Sequence, residues 1–125
     1  MLTNNSVIAF IPTSDAARSR EFYERSLGLR FVSDDSFAVV MDCRGTMLRI
    51  ARVGNFTPHP FTILGWEVED MDKTAEVMAG NGVKFEIFPG LQQDEAGVWT
   101  APGGAKVAWF KDPDGNILSI SQHGG

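Results

Sequence analysis

The side chains best suited to catalysis or metal binding are few. The chain has two histidines, His59 and His123, and one cysteine, Cys43. His59 stands between two prolines and His123 near the end of the sequence, which indicates two exposed surface residues rather than a metal-binding pair. Cys43 has Arg44 on one side, which favours the reactive thiolate, and Asp42 on the other, which opposes it. A nucleophilic role for Cys43 is therefore not favoured.

The three tryptophans are a stronger resource for binding. Trp66, Trp99 and Trp109 all lie in residues 61–125, where four Lys against ten acidic residues give a net charge of −6. Residues 1–60, with seven Arg and six acidic residues, carry +1. Tryptophans beside acidic groups suit a flat or cationic ligand through stacking and cation–π contact. The competing interpretation is that these rings belong to the core and that the acidic half is an ordinary solvated surface.

Composition limits the class of protein. The 125 residues carry a net charge of −5, with 43% hydrophobic and 22% charged residues, as one compact globular domain does. Negative charge argues against nucleic-acid binding, which needs a basic face, and no apolar run reaches the roughly 18 residues of a membrane span. No secretory signal is recognised. A single cysteine fits a reducing compartment, so we expect a cytoplasmic protein.

The elements that position these residues can be inferred from the apolar patterns. In the first half, Thr13, Ser14 and Asp15 are N-cap residue types before a helical spacing of apolar residues. Gly28 suits the position just after a helix end. Short β-forming runs between polar turns indicate strands. The predicted strands are Val7–Pro12, Leu29–Val32, Phe37–Met41 and Thr46–Ala51, and the predicted helix is Ala16–Leu27.

Residues 54–60 (GNFTPHP) interrupt this pattern, because prolines disfavour both helix and central strand. The pattern then restarts, with Asp70 capping a second helix. A polar loop is predicted over Gly90–Gly97, and Trp99 either closes a short strand or belongs to that loop. The predicted strands are Phe61–Val68, Val83–Phe88, Ala105–Phe110 and Ile117–Ser121, and the predicted helix is Met71–Ala79.

The two halves repeat each other. Asp15 and Asp70 both open a helix, and Gly28–Phe31 (GLRF) is matched by Gly82–Phe85 (GVKF) about 55 residues later. Two copies at this period indicate a duplicated βαβββ module rather than a solenoid. We therefore predict an α+β fold in one domain, residues 1–125, with module 1 at about 5–53, a linker at about 54–60 and module 2 at about 61–122.

Three motifs resemble the vicinal oxygen chelate superfamily, which includes glyoxalase I, extradiol dioxygenases and bleomycin-resistance proteins. They are D…FY…LG within Asp15–Leu29, the repeat at Gly82–Val83, and DPDGN within Trp109–Asn116. The DPDG turn also has a local cause, since Pro presets φ and Gly115 can take positive φ. The resemblance covers about residues 7–122. It implies that the modules form a cupped, partly open mixed β-sheet with the helices on the outer face.

The resemblance also implies where metal ligands would lie. The enzymes of this family hold a divalent metal with a His on the first strand and a Glu on the last strand of each half. These positions fall on Ile8, or on Val7 with a slip of one residue, and near Arg49 in the first half, and on Ile63 and Ser119 in the second. None of the four is a suitable ligand, and Arg49 would repel a cation. We therefore expect no metal and no other cofactor.

The remaining candidates are residues that the resemblance directs into the cup. Glu67 has the same strand parity as Ile63, which directs its side chain towards the cup. Because Trp66 and Glu67 are neighbours on one strand, only one of them should face inward. An inward Arg49 needs a partner, either a carboxylate, with Glu67 expected, or an anionic group of the ligand. The predicted ligand-binding residues are Ile8, Phe10, Arg49, Ile63, Trp66, Glu67, Trp99, Trp109 and Ser119.

Two functions are consistent with this sequence. The favoured one is a metal-independent protein that sequesters an aromatic or cationic small molecule in the cup, as the bleomycin-resistance branch does. The alternative is a glyoxalase- or dioxygenase-like enzyme with displaced or absent metal ligands. The open sheet edges and apolar inner faces of the two modules predict a homodimer.

Overall fold

The computed structural model describes residues 1–124, and it divides into two compact units, Met1–Thr57 and a second that begins at Pro58. Each unit contains one four-stranded mixed sheet and one α-helix, in the order strand, helix, three strands. The predicted α+β fold of two tandem βαβββ modules is confirmed. Among residues 1–124, no helix combines the length and the apolar character that crossing a membrane requires.

The first unit has its strands in the order β1-β4-β3-β2, with β1 parallel to β4 and the other pairs antiparallel. A short 3₁₀ turn, Leu2–Asn4, precedes them. The elements are β1 (Ile8–Thr13), α1 (Ala16–Glu21, continued by a π-helical turn over Phe22–Ser26), β2 (Arg30–Asp34), β3 (Ala38–Cys43) and β4 (Thr46–Arg52).

Helix α1 begins as its sequence predicts, whereas the last part of the predicted helix Ala16–Leu27 is the π-helical turn Phe22–Ser26. The Asp15 carboxylate accepts a hydrogen bond from the Arg18 backbone N–H, which satisfies one of the free donors of the first turn. Gly28 comes after the π-helical turn with φ +74°, a left-handed conformation that glycine adopts without strain. Tyr23 in that turn is completely buried.

The core of the first unit lies on one side of its sheet. Alternation along the strands places Ile11, Met41, Leu48 and Ile50 on the side of α1, where all four are fully buried or nearly so. Helix α1 packs against β3 and β4. The opposite side, which we call the open face of sheet 1, presents the intervening residues. Its members on β1 and β4 are Ile8, Phe10, Pro12, Met47, Arg49 and Ala51.

The second unit has its strands in the order β5-β8-β7-β6, with β5 parallel to β8 and the others antiparallel. Asp70 caps its helix by accepting from the Lys73 backbone N–H. The elements are β5 (Thr62–Glu67), α2 (Met71–Gly80), β6 (Trp99–Thr100), β7 (Lys106–Lys111) and β8 (Ile117–Gln122).

One predicted strand is wrong. Residues 83–88 form no strand and contribute only a bridge of Phe85 with Phe110 and a 2.8 Å hydrogen bond from the Glu86 N–H to the Trp109 carbonyl. The Gln93 side chain is the cause, because it bonds the Glu86 carbonyl and the Phe88 N–H, groups that a strand partner would otherwise use. The second strand position of this module is filled by β6 instead, where Trp99 begins a two-residue strand.

The core of the second unit again lies on the helix side of the sheet. Leu118, Ile120 and Phe110 are buried there against α2, whose Met71 and Ala75 face them. The opposite side, which we call the open face of sheet 2, presents Glu67 from β5, Val107 and Trp109 from β7, Ser119 and Ser121 from β8, and Trp99 from β6.

The predicted DPDG turn is present between β7 and β8. The Asp112 carboxylate accepts hydrogen bonds from the backbone N–H groups of Asp114 and Asn116, and Gly115 takes φ +89°. The turn therefore fixes the register of β7 against β8. That register decides which side chains of β7 and β8 share the open face.

Candidate functional site

An aromatic cluster lies on the open face of sheet 2. The ring centroids of Trp99 and Trp109 are 6.2 Å apart with a 35° tilt, and Phe88 meets Trp109 edge-on at 5.6 Å. All three rings are half-buried. β6 and β7 position the two indoles, since Trp99 pairs with Val107, two residues before Trp109 on the same face. The three rings give this face an apolar, aromatic surface.

A polar group stands beside this cluster. Ser119 pairs with Trp109 across β7 and β8, and with Gly65 across β5 and β8. A Cβ at Gly65 would lie 2.6 Å from the Ser119 Oγ, so a larger residue there would force that hydroxyl to move. Within residues 1–124 the Ser119 Oγ makes no hydrogen bond with protein, which leaves it able to donate to or accept from a ligand.

The same face ends in a short polar edge. Glu67 pairs with Ser121 in the register of β5 and β8, and the Ser121 Oγ lies 2.9 Å from the His123 Nε2. Glu67 and His123 are exposed, and Ser121 is half-buried. The sequence predicts an exposed His123, which is confirmed, but not its contact with Ser121.

Trp66 does not belong to the open face. It pairs with Ile120 on the helix side of the sheet, and its ring stacks on Phe110 at 6.4 Å. Only one of Trp66 and Glu67 is expected on the open face, and the register of β5 against β8 places Glu67 there and Trp66 on the helix side. Because neighbouring side chains on a strand point to opposite faces, Glu67 lies on the open face and Trp66 packs in the core. Ile63 lies within the register shift between Thr62 and Leu64, and it is half-buried.

The open face of sheet 1 is different in character. Arg49 lies on it, next to Phe10, and an Arg49 guanidinium nitrogen is 2.7 Å from an Asp35 carboxylate oxygen. The carboxylate that pairs with Arg49 is thus Asp35 and not the expected Glu67. The Arg49 side chain is 23% exposed, whereas Phe10 and Ile8 are largely exposed. Because arginine has five N–H donors, this pairing leaves donors for an anionic group.

A second ion pair lies beside the first. Both guanidinium terminal nitrogens of Arg52 donate to the Asp34 carboxylate, at 2.8 and 2.7 Å. The Arg52 hydrogen bonds, with one from the Ser36 N–H, lower the pKa of Asp34 from 3.8 to about 2. The Arg49 hydrogen bond likewise lowers the pKa of Asp35. Both aspartates also bind backbone N–H groups of residues 36–38, so the two pairs hold the β2–β3 turn.

The residues at the metal positions implied by the family do not fit a divalent metal. Ile8 and Ile63 carry no donor atom, Arg49 is a cation already paired with Asp35, and Ser119 offers a single neutral hydroxyl. Elsewhere in residues 1–124, no group of three or more His, Cys, Asp or Glu side chains is arranged to hold a metal ion. Half-buried Cys43 therefore belongs to no such group among these residues.

Three residues of these faces are absent from the sequence-based candidates. Phe88 is missed because the pattern of its segment is typical of an ordinary strand, although it folds back onto Trp109. Gly65 is missed because an isolated glycine in a strand pattern is ambiguous, although it can mark a close approach. Asp35 is missed because its pattern indicates a simple turn residue. Its distance of 14 residues from Arg49 gives no pairing signal.

The chain matches the family model described as Glyoxalase/Bleomycin resistance protein/Dioxygenase superfamily over residues 6–120. No curated protein matches it significantly. Because the structure contains both βαβββ modules and the match spans nearly the whole sequence, the chain belongs to the glyoxalase/bleomycin resistance protein/dioxygenase superfamily.

Solved structures agree with this fold. A superfamily member from Sphaerobacter thermophilus superposes with a TM-score of 0.75 at 21% identity, covering 98% of this chain and 100% of that one. One from Alicyclobacillus acidocaldarius gives 0.73 at 18% identity, covering 98% and 93%. A lactoylglutathione lyase from Agrobacterium tumefaciens gives 0.73 at 16% identity, covering 95% and 93%. Sequence identities this low show a shared fold, and they do not identify a ligand of this chain.

Proposed function

We propose that this protein binds a small organic compound, aromatic or cationic, without the help of a metal. The observation that carries the proposal is the half-buried cluster of Trp99, Trp109 and Phe88, with the Ser119 hydroxyl beside it. Stacked or edge-on rings are worth about 0.5–1.5 kcal/mol beyond their buried area. The hydroxyl would orient the ligand by one hydrogen bond.

Charge supports the cationic character of the ligand. Glu67 and Ser121 lie on the same face as the two indoles, and tryptophan is the best ring for cation–π contact. Sequestration of such a compound requires affinity and no chemistry, which agrees with the lack of suitable metal ligands at the family's positions.

The test is a titration monitored by tryptophan fluorescence in a Trp66→Phe background, so that only Trp99 and Trp109 report. The probes are 9-aminoacridine, a flat cation, anthracene-9-carboxylate, a flat anion, and cyclohexylammonium, a cation that is not flat. We expect saturable quenching by the flat probes, strongest with 9-aminoacridine. Absence of saturable quenching by all three, with binding of none of them by calorimetry, would contradict the proposal.

The open face of sheet 1 provides a place for an anionic group. Arg49 keeps free donors there beside exposed Phe10 and Ile8. We expect Arg49→Met to keep the fold and to weaken anthracene-9-carboxylate binding by about tenfold, since one charge-assisted contact is lost. Unchanged affinity, with unchanged thermal melting, would remove Arg49 from the binding residues.

Metal independence has its own measurement. Purified protein dialysed against a chelator is expected to contain far less than one Zn, Ni, Fe or Mn per chain by elemental analysis, because the four family positions hold no suitable set of metal ligands. About one retained metal per chain would contradict metal independence and favour the enzyme alternative. That alternative is supported by the structural similarity to a protein described as a lactoylglutathione lyase.

We also propose a homodimer in the cytoplasm. β1 is an edge strand of its sheet, and Val7 and Phe10 near it are 71% and 62% exposed. Exposed apolar side chains along a free edge favour pairing with a second copy. Light scattering at micromolar protein is expected to give twice the 13.7 kDa chain mass, and a monomeric mass would contradict it. The single cysteine of the sequence, Cys43, fits a reducing compartment.

A further inference from the structure

A groove of about 570 Å³ runs along the helix side of the second unit, opposite the face that carries Trp99 and Trp109. One wall is a face of α2, formed by residues at helical spacing: Asp72, Ala75, Glu76 and Ala79. The other wall is the segment of residues 85–97 that replaces the expected strand. The groove lies within the size range of small-molecule sites.

The second wall is held in place by its own hydrogen bonds. The Gln93 side-chain amide donates to the Glu86 and Gly97 carbonyls, both at 2.8 Å, and its oxygen accepts from the Phe88 N–H. The Asp94 carboxylate accepts from the Ala96 and Val98 N–H groups at 2.9 Å. A wall fixed in this way keeps the groove open without a ligand, which lowers the ordering cost of binding.

The groove combines an apolar lining with an acidic rim. The lining is supplied by Val83, Phe85 and Ile87 together with the small side chains of α2, and Ile87 is 64% exposed. Asp72, Glu76 and Glu95 supply the rim, and no Lys or Arg is among the lining residues of the described chain. Lys106 reaches Asp72 from outside at 3.7 Å, whereas Glu76 and Glu95 form no ion pair within residues 1–124.

We propose that this groove, between α2 and residues 85–97, is a second binding site that takes a small amphipathic organic cation. The apolar part of the ligand would cover Phe85 and Ile87, and its ammonium group would lie near the unpaired carboxylates of Glu76 and Glu95. Carboxylates beside a partly desolvated surface attract a cation more strongly than they do in bulk water. An anion of the same shape would be repelled.

The test uses three probes of one shape: 2-phenylethylammonium, 2-phenylethanol and 3-phenylpropanoate. Binding is measured by ¹H–¹⁵N NMR titration of the full chain. We expect saturable shifts at the amides of Ala75, Ala79 and Gly97, with the cation at least fivefold tighter than the alcohol and the anion weakest. Equal affinities for all three probes, or shifts that avoid these amides, would overturn the proposal.

Variants separate the charge from the shape of the groove. The double variant Glu76→Gln with Glu95→Gln is expected to remove the preference for the cation, whereas Glu69→Gln, an exposed change outside the groove, leaves it. Ala79→Phe fills the groove and should abolish the shifts, whereas Val77→Phe, on the exposed side of α2, should not. Cation binding that survives both groove changes but is lost in Trp109→Leu would place the probe on the open face and overturn this second site.

The proposals for the two sites can be contradicted independently of each other. Loss of 9-aminoacridine quenching concerns Trp99 and Trp109 on the open face, while loss of the NMR shifts at Ala79 and Gly97 concerns the groove. Either result can occur without the other.

Discussion

The two units share one order of elements and differ in the segment that comes after the helix. In the first unit, β2 begins a few residues after the π-helical turn of α1 and pairs with β3 along its length. In the second unit, 18 residues separate α2 from the two-residue strand β6. Those residues fold onto themselves through Gln93 and Asp94. The module tolerates this change because the second strand is at the edge of the sheet, where no further strand depends on it.

The two units also differ in the side chains that lie near the edges of their sheets. The first unit uses charged pairs, Asp34 with Arg52 and Asp35 with Arg49, to hold its β2–β3 turn. The second unit carries aromatic rings on its open face: β6 and β7 supply Trp99 and Trp109, and the long segment adds Phe88 against Trp109. A duplicated module can thus keep its core and specialise at its edge.

The largest expected effect of breaking the long segment is at Gly97. It has φ +91°, and a Cβ there would lie 2.9 Å from the Phe85 Cβ. We expect Gly97→Ala to lower the free energy of unfolding by about 2–3 kcal/mol, from backbone strain and a clash that the rigid Phe85 Cβ cannot relieve. Urea denaturation measures it. Gly103→Ala, where nothing lies within 4 Å, is the control and should change little. Equal effects at both glycines would contradict the role of Gly97.

The next effect is at Gln93, which makes three hydrogen bonds to the segment. Gln93→Ala is expected to lower the free energy of unfolding by about 1–2 kcal/mol, because backbone groups lose partners. Hydrogen exchange at the Phe88 amide should also accelerate. Gln92→Ala removes an exposed neighbour and serves as the matched control. Unchanged exchange at Phe88 would show that the segment does not depend on Gln93.

The smallest effect concerns the first unit and its charged pairs. Asp34 has its pKa lowered to about 2 in the folded protein, from 3.8. Its pair with Arg52 therefore stabilises the fold above pH 3.8, and that stability is lost as the pH falls towards 2. Arg52→Gln should raise the pKa of Asp34 in an NMR titration and flatten the pH dependence of stability in this window. Arg30→Gln, which removes an exposed arginine paired with Asp42 at 3.6 Å, should leave the pKa of Asp34 unchanged.

Much of the fold could be predicted from the sequence because its signals are local. Asp15 and Asp70 at helix starts, Gly28 after a helix and the DPDG turn each act on their own backbone. The repeat between the halves then indicated the βαβββ order. The predicted strand at residues 83–88 failed because a side chain, Gln93, competes for its backbone groups, and strand propensity carries no information on such competition.

The candidate site was less predictable because it depends on register and on distant pairs. Because side chains alternate along a strand, only one of Trp66 and Glu67 can face outward, but the sequence does not say which one. The pairing of β5 with β8 shows that it is Glu67. The partner of Arg49 lies 14 residues away across β3. Gly65 acquires its meaning only when Ser119 is placed opposite it.

The most direct test of the central claim compares one aromatic residue from each unit. Calorimetry with 9-aminoacridine would be carried out on Trp109→Leu, from the open face of sheet 2, and on Phe37→Leu, an exposed aromatic of the first unit. We predict at least a tenfold loss of affinity for Trp109→Leu and less than a twofold change for Phe37→Leu, with both variants folded. Unchanged affinity in folded Trp109→Leu would contradict the account.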